Sequence, residues 1–131
     1  MQLAVNVQLP ECFGGLNGKC FYLSTDKRIE TKRLDAMSKA LKEQFINYPE
    51  VQKICFMDNI FVEEFNSVHK FQSFVEKLPQ ILEKHPEIKL VVIDSIAGIF
   101  RTEISFIERA KWCVSLHLNL KNSLIFTTLQ F

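Results

Sequence analysis

A carboxylate at the end of a predicted buried strand is the first candidate for chemistry in this sequence. Asp94 directly follows four apolar residues, 90–93, a run typical of a strand buried on both faces of a parallel sheet. Open α/β folds bind ligands at the carboxyl edge of such a sheet. A carboxylate there stays ionised only if it is hydrogen-bonded or faces a cation. Asp94 is therefore a candidate for holding Mg²⁺ on a nucleotide; the alternative is that Asp94 and Ser95 cap the following turn.

A second carboxylate stands in a similar place earlier in the chain. Residues 19–24 form a short, aromatic-rich run that predicts a strand, and Thr25 and Asp26 follow at its carboxyl end. The alternative for Asp26 is a cap of the turn or of the next helix, beside Thr25.

Helical and extended patterns alternate along the whole chain. We expect a helix end at 1–8, a glycine loop at 12–18 and a helix from Thr31 or Asp35. An apolar segment at 54–57 follows, and 60–62 either continue it or form a brief extension after Asn59. We then expect a helix capped by Asn66 or Ser67 with a kink or break at Pro79. Further on we expect a strand from Ile88, a helix at about 104–121 and a strand at 123–128. This order predicts one α/β domain, residues 1–131, with a parallel sheet and helices on both faces.

Composition excludes several classes of protein. The 131 residues are 47% hydrophobic and 24% charged with net charge +1, so the chain is neither disordered nor strongly basic. No apolar run is long enough to span a membrane. The four cysteines, at 12, 20, 55 and 113, show no metal-ligand spacing, and we interpret them as reduced core thiols.

Several motifs together resemble one family. These are Gln8-Leu9-Pro10, Gly14-Gly15-Leu16, Gly18-Lys19, Tyr22-Leu23-Ser24-Thr25-Asp26, Lys32-Arg33-Leu34 and the run Asp94-Ser95-Ile96-Ala97-Gly98-Ile99-Phe100-Arg101 followed by Thr102-Glu103. Their order and spacing resemble the RecA/RadA-type recombinase ATPase core, in particular the eukaryotic strand-exchange paralogues of homologous recombination. The resemblance implies a RecA-like (P-loop NTPase) fold and spans most of residues 1–110.

The resemblance implies ATP and Mg²⁺ as cofactors and assigns roles to four residues. Asp94 matches the Walker B aspartate that orders Mg²⁺, and Ser95 is its usual neighbour. Asp26 stands where the family has a glutamate that positions the attacking water, and its shorter side chain would hold that water less well. Gln130 matches the glutamine that senses the γ-phosphate.

The resemblance also implies single-stranded or branched DNA and another recombinase paralogue as partners. Arg101 and Arg109 match the start of a DNA-facing loop, although most surface arginines are simply solvated. Phe61, Phe65 and Phe71 would line a groove that receives a phenylalanine-containing linker of the partner; alternatively they are ordinary core aromatics. The implied location is the nucleus, with the cytoplasm as a second compartment.

One departure from the family limits the activity that we expect. The phosphate-binding motif GxxxxGK(S/T) does not occur in these 131 residues, and by the alignment its lysine would lie upstream of Met1. The family's second DNA-binding loop and carboxyl-terminal strands would follow Phe131. We therefore expect a truncated ATPase domain that does not hydrolyse ATP by itself. Two other functions remain: a non-catalytic interaction module with a degenerate RecA fold, and an unrelated P-loop-like or flavodoxin-like enzyme.

Overall fold

Alternating helices and strands form the fold, as the sequence pattern predicts. The computed structural model describes residues 1–25, 28–95 and 124–128. The helices and strands of this part are α1 (Gln2–Asn6), β1 (Lys19–Ser24), α2 (Thr31–Gln44), α3 (Pro49–Gln52), β2 (Ile60–Glu64), α4 (Val68–Lys84), β3 (Ile88–Asp94) and β4 (Leu124–Thr128). Short 3-10 turns occupy Glu11–Phe13 and Phe56–Asn59. The helix predicted at 104–121 lies outside the described residues.

The four strands form one parallel sheet in the order β2-β1-β3-β4. The prediction of a parallel sheet is confirmed, and the predicted bounds of β1 and the start of β3 are correct. β1 and β3 lie inside the sheet with neighbours on both sides, which explains why their sequences are apolar on both faces. β2 pairs only with β1 among the described residues, so β2 has one edge without a described neighbour.

Helices cover both faces of the sheet, and each face has its own hydrophobic core. On one face, here called the α1/α2 face, residues of α1 and α2 pack on Cys20, Tyr22, Leu90 and Val92. On the other, the α4 face, Phe71 and Leu78 of α4 pack on residues of β1 and β3. Successive strand residues point to opposite faces, so β1 contributes to both cores. No helix in the described part of the chain is long and apolar enough to cross a membrane.

Of the two extended segments expected between α2 and α4, the one after Asn59 forms a strand and the one at 54–57 does not. Residues 54–57 do not form a strand: Phe56 begins a 3-10 turn and is only 2% exposed, so Phe56 fills the α1/α2 core from a loop. The strand is β2, which begins at Ile60 and ends in two glutamates. A short apolar run fits a buried loop as well as a strand, and periodicity cannot separate the two.

Helix α4 continues through Pro79, so the predicted alternative of a break there is wrong. Proline lacks the backbone N–H and its ring clashes with the preceding turn, which costs about 3 kcal/mol inside a helix. Leu78 is fully buried, and Val75 and Leu82 pack against the same core on either side of the proline. Burial of these three side chains offsets that cost and keeps both halves of the helix on the sheet.

The glycine loop before β1 folds back onto the end of α1. The Leu16 and Gly18 amides both donate to the Val7 carbonyl, at 3.0 and 3.2 Å. Gly14 has a φ of 82°, in the left-handed region that favours glycine. At Gly15 the constraint is space, because an added Cβ would overlap the backbone carbonyl of Leu9.

Replacing Gly15 is expected to destabilise the fold more than replacing its neighbour. Gly15→Ala should lower the free energy of unfolding by about 3 kcal/mol, because rigid backbone must shift to admit the methyl group. Gly14→Ala, where nothing lies within 4 Å of the added Cβ, is the matched control and should cost about 1 kcal/mol of backbone strain. Urea unfolding followed by circular dichroism measures both; equal losses would contradict the overlap at Gly15.

The thiols of the described cysteines should differ sharply in reactivity. Cys20 is fully buried, and burial raises the pKa of its thiol from 9.0 to about 12, so the reactive thiolate is scarce at pH 8. Cys12 and Cys55 are exposed. Iodoacetamide at pH 8, followed by peptide mapping, should modify Cys12 and Cys55 in the folded chain and Cys20 only after unfolding in urea. Equal labelling of all three in the folded chain would refute the buried position of Cys20.

Candidate functional site

Polar residues occupy the carboxyl ends of the four strands. The register pairs Ser24 with both Glu64 and Asp94, and Asp94 in turn with Thr128. Because all four strands are parallel, their carboxyl ends meet at this one edge, which is where open α/β sheets bind ligands. The predicted position of Asp94 at the carboxyl end of an interior strand is therefore correct.

The Asp94 carboxylate is held by a buried tyrosine. The hydroxyl of Tyr22 donates to Oδ2 of Asp94 at 2.6 Å, and Tyr22 is 1% exposed. Burial, followed by the hydrogen bond to Asp94, raises the pKa of Tyr22 far above 10, so the phenol keeps its proton and remains a donor. One oxygen of the Asp94 carboxylate is therefore fixed by a neutral donor.

The ends of the three neighbouring strands are tied together around Asp94. The Thr25 amide donates to the Asp94 carbonyl at 3.0 Å, and the Thr25 hydroxyl donates to the Ser95 carbonyl. The Phe65 amide donates to the Ser24 carbonyl at 2.8 Å and so extends the β1–β2 pairing. Ser95 is 6% exposed, and the peptide bond between Asp94 and Ser95 is cis. The backbone at Asp94 is thus held by the strands on both sides of β3 and does not form a loose turn.

Four of the predicted site residues lie outside the described residues: Asp26, Arg101, Arg109 and Gln130. Their roles stay predictions. At the carboxyl edge, Asp94 and Ser95 lie beside Thr25, which follows β1, and beside Tyr22.

Sequence reasoning did not identify Tyr22 as part of the site. One signal was available, because a tyrosine in a buried strand needs a partner for its hydroxyl. Which partner it meets depends on the register of β1 against β3, which opposes Tyr22 to Val92 and brings Asp94 within reach on the same face. That register is a tertiary property that the pattern of one strand does not contain.

The carboxyl edge of the sheet has the carboxylate that one part of a magnesium–nucleotide site requires. Mg²⁺ prefers oxygen ligands, keeps several waters and is commonly bound by one or two protein carboxylates together with substrate phosphates. Asp94 supplies one such carboxylate. In the described part of the chain, no three His, Cys, Asp or Glu residues are grouped so as to hold a metal ion alone. A cation at Asp94 would therefore need an outside ligand such as phosphate, and GxxxxGK(S/T) is absent from the 131 residues.

The three phenylalanines proposed to bind a partner differ in exposure. Phe61 lies on β2 and is 38% exposed, Phe65 follows β2 and is half-buried, and Phe71 of α4 is 1% exposed. Phe71 therefore lies in the core and supports Phe65, with ring centroids 5.3 Å apart, and does not line a surface. Phe21 and Phe74 complete a continuous row of ring contacts between Phe61 and Phe65, at 6.0, 5.5 and 5.2 Å.

Comparison with known proteins identifies relatives over most of the chain. It is 40% identical over 108 residues to the DNA repair and recombination protein RadA of Metallosphaera sedula, covering 79% of this chain and 30% of RadA. It is 37% identical over 107 residues to the DNA repair protein RAD57 of Saccharomyces cerevisiae, covering 79% and 22%. A RadA of Aeropyrum pernix is 39% identical over 103 residues, covering 78% and 29%. The chain thus spans less than a third of each of these relatives.

A family model gives the same assignment. The model described as Rad51 matches residues 1–115, a stretch that includes the strand ending in Asp94 and the tyrosine that holds it. The alternative of an unrelated flavodoxin-like enzyme is therefore wrong, and the recombinase resemblance is confirmed at the level of the family. The chain belongs to the Rad51 family.

Proposed function

We propose that this chain is part of the ATPase core of a DNA repair protein that acts in homologous recombination. The observation that carries the proposal is the Asp94 carboxylate at the carboxyl edge of a parallel sheet, oriented by Tyr22, in a chain of the Rad51 family. The relatives named RadA and RAD57 are DNA repair or recombination proteins, which supports the same role. Within the family, the Gln-Leu opening resembles the third X-ray-repair cross-complementing protein, and we include this paralogue type and a nuclear location in the proposal.

In this proposal Asp94 holds Mg²⁺ on ATP, and the bound Mg²⁺ neutralises charge on the phosphates. Tyr22 fixes one carboxylate oxygen, and the other would bind the cation. Ser95 and Gln130 lie on the nucleotide side, and Asp26 positions the attacking water. The amide donors and lysine for the phosphates come from a GxxxxGK(S/T) segment outside these 131 residues, so ATP binding is a property of the full-length protein.

DNA contact and partner docking complete the proposal. Arg101 and Arg109 would contact phosphates of single-stranded or branched DNA. A paralogue would dock at the edge of β2, where Phe61 and Val62 are 38% and 41% exposed and the strand lacks a second described neighbour. An unpaired strand edge offers backbone donors and acceptors to an incoming extended segment. Phe65 would contact the segment, and Phe71 would support Phe65 from the core.

The exposed surface at β2 also favours a second function. A chain that has lost ATP chemistry but kept the fold would still present Phe61 and Val62 to a partner. Asp26 in place of the family's glutamate is in keeping with such a non-catalytic interaction module. The two functions differ in whether the full-length protein binds ATP in a manner that depends on Mg²⁺.

Asp94→Asn separates these two functions. In the full-length protein this change should weaken Mg²⁺-dependent binding of a fluorescent ATP analogue by roughly tenfold or more, because the neutral amide is a poor ligand for a hard cation. Binding measured in EDTA should not change. Asp58→Asn, at an exposed turn, is the matched control. If the full-length protein binds the analogue equally well with and without Mg²⁺, the ATPase proposal fails and the interaction module remains.

Tyr22→Phe tests whether the tyrosine positions the carboxylate. The lost hydrogen bond should lower the free energy of unfolding by about 2 kcal/mol, since bonds to ionised groups are worth more than neutral ones. The apparent Mg²⁺ affinity in the presence of the ATP analogue should fall by about tenfold. Tyr48→Phe, at a side chain that is 46% exposed, is the control. Reduced stability with an unchanged Mg²⁺ titration would assign Tyr22 a purely structural role.

A further inference from the structure

An exposed threonine stands in a basic segment at the start of α2. The structure describes the exposure of every serine and threonine in residues 1–25 and 28–95. Ser24, Ser38 and Ser95 are buried, Thr25 and Ser67 are half-buried, and Thr31 and Ser73 are exposed. In this part of the chain, Thr31 and Ser73 are therefore the serine and threonine hydroxyls most accessible to a modifying enzyme.

The two exposed hydroxyls differ in the backbone around them. A protein kinase binds the residues around its target in an extended conformation, so that the target hydroxyl reaches the catalytic aspartate. Ser73 lies inside α4, next to Phe74 and two residues after the buried Phe71, and extending the chain there would lift α4 from its core. Thr31 is the first residue of α2 and follows irregular backbone at 28–30. The backbone thus favours Thr31 as a target.

The start of α2 can open without disturbing the core. Leu34 is the first buried residue of the helix, at 1% exposed, whereas residues 31–33 are all exposed. Glu30 at the N-cap makes no side-chain hydrogen bond that would cap the helix. Opening of residues 31–33 therefore exposes no buried side chain, and helix ends of this kind lie at the low end of local opening free energies.

Positive charges flank Thr31 on both sides. Arg28 stands three residues before it, Lys32 and Arg33 follow it directly, and all three side chains belong to exposed residues. None of them takes part in an ion pair with a carboxylate of the described residues. A kinase whose substrate groove carries carboxylates recognises a hydroxyl flanked in this way, because arginine pairs with carboxylates through two parallel hydrogen bonds. After the transfer, the same cations are placed to hold a phosphate.

We propose that Thr31 is phosphorylated by a protein kinase that selects basic residues around its target, and that the phosphate pairs with Arg28, Lys32 and Arg33. In this reaction the Thr31 hydroxyl oxygen attacks the γ-phosphorus of ATP bound to the kinase. The new oxygen–phosphorus bond forms as the bond to the ADP oxygen breaks, ADP leaves, and the hydroxyl proton passes to the catalytic aspartate of the kinase. The phosphothreonine carries about −1.5 to −2 charges at pH 7.

The phosphate changes the charge at the edge of the sheet where the nucleotide is proposed to bind. The Thr25 amide is bonded to the Asp94 carbonyl, and α2 begins shortly afterwards and runs from this carboxyl edge back to the start of β2. Ile29 packs against the α1/α2 core and so keeps the start of α2 close to the sheet. The three cations attract the polyphosphate of ATP, whereas a phosphate on Thr31 neutralises them and repels it. This consequence rests on the proposed function, but the phosphorylation itself does not.

Kinase assays on the full-length protein and on matched peptides test the modification. The probe is the catalytic domain of protein kinase C with Mg²⁺ and ATP, and mass spectrometry maps the phosphate. Thr31 should react in the folded protein within about threefold of its rate in a peptide of residues 24–37, since only a helix end must open. Arg28→Ala should slow the reaction about tenfold, because a charge-assisted contact with the kinase is lost.

Ser73 provides the matched control, because Lys70 stands three residues before it as Arg28 does before Thr31. In the variant Lys70→Arg, Ser73 has the same arginine spacing but lies inside α4. It should be phosphorylated in a peptide of residues 67–80 and about a hundredfold more slowly in the folded protein, since the middle of α4 must open first. Absence of phosphate from Thr31 in the folded protein, or equal slowing of Thr31 and Ser73, would overturn the proposal.

Binding of the fluorescent ATP analogue tests the consequence for the nucleotide site. Full-length protein phosphorylated at Thr31 should bind the analogue about fivefold more weakly at low salt, and the difference should shrink at high salt, where charges are screened. Thr31→Glu should weaken binding in the same direction, whereas Ser73→Glu, with the same change of net charge, should not. Unchanged affinity after phosphorylation would overturn the effect on the nucleotide site. If the unphosphorylated protein binds no analogue, the ATPase proposal fails, and the mapping of phosphate to Thr31 alone decides the modification.

Discussion

The register between β1 and β3 is the constraint on which the carboxyl edge depends. Six residues of β1 pair with β3, and the pairing opposes Ser24 to Asp94. With this register the Tyr22 hydroxyl reaches the Asp94 carboxylate and the Thr25 amide reaches the Asp94 carbonyl. The two sequences are more than sixty residues apart, so this pairing is a long-range contact that forms only when the whole sheet assembles. The contacts at Asp94 can therefore be no more stable than the pairing of β1 with β3.

A single hydrogen bond explains how a carboxylate is kept at the end of an apolar strand. Removing Asp94 from water without a donor would be costly. The buried hydroxyl of Tyr22 supplies a donor at 2.6 Å to one oxygen, and Asp94 itself is only half-buried at the edge of the sheet. The tyrosine in turn satisfies its own hydroxyl, which would otherwise be unpaired inside the α1/α2 core. Each group thus removes the desolvation cost of the other, and together they fix the carboxylate geometry that a cation requires.

Predictions from the sequence were correct where the residues of one strand determine the structure. They failed where the structure depends on contacts with a neighbouring element. The apolar runs of β1 and β3 predicted interior parallel strands, and Asp94 was correctly placed at the edge. The strand at β2 was expected only as one of two alternatives, because β2 has one edge without a described neighbour and exposes Phe61 and Val62, whereas the buried Phe56 lies in a turn. Local backbone preference likewise suggested a break at Pro79, but burial on both sides of it is stronger. Tyr22 could not be assigned because its partner is set by register.

The alternation of side chains along β1 connects the two candidate functional surfaces. Tyr22 points to the α1/α2 face and holds Asp94, whereas Phe21 points to the α4 face and contacts both Phe61 and Phe74. A slip of β1 by one residue would exchange these two side chains and would remove both the carboxylate's donor and the ring contacts that Phe21 makes with Phe61 and Phe74. The contacts on each face of the sheet therefore restrict which residue can stand at positions 21 and 22. For this physical reason, Phe21 and Tyr22 are not interchangeable although both are aromatic.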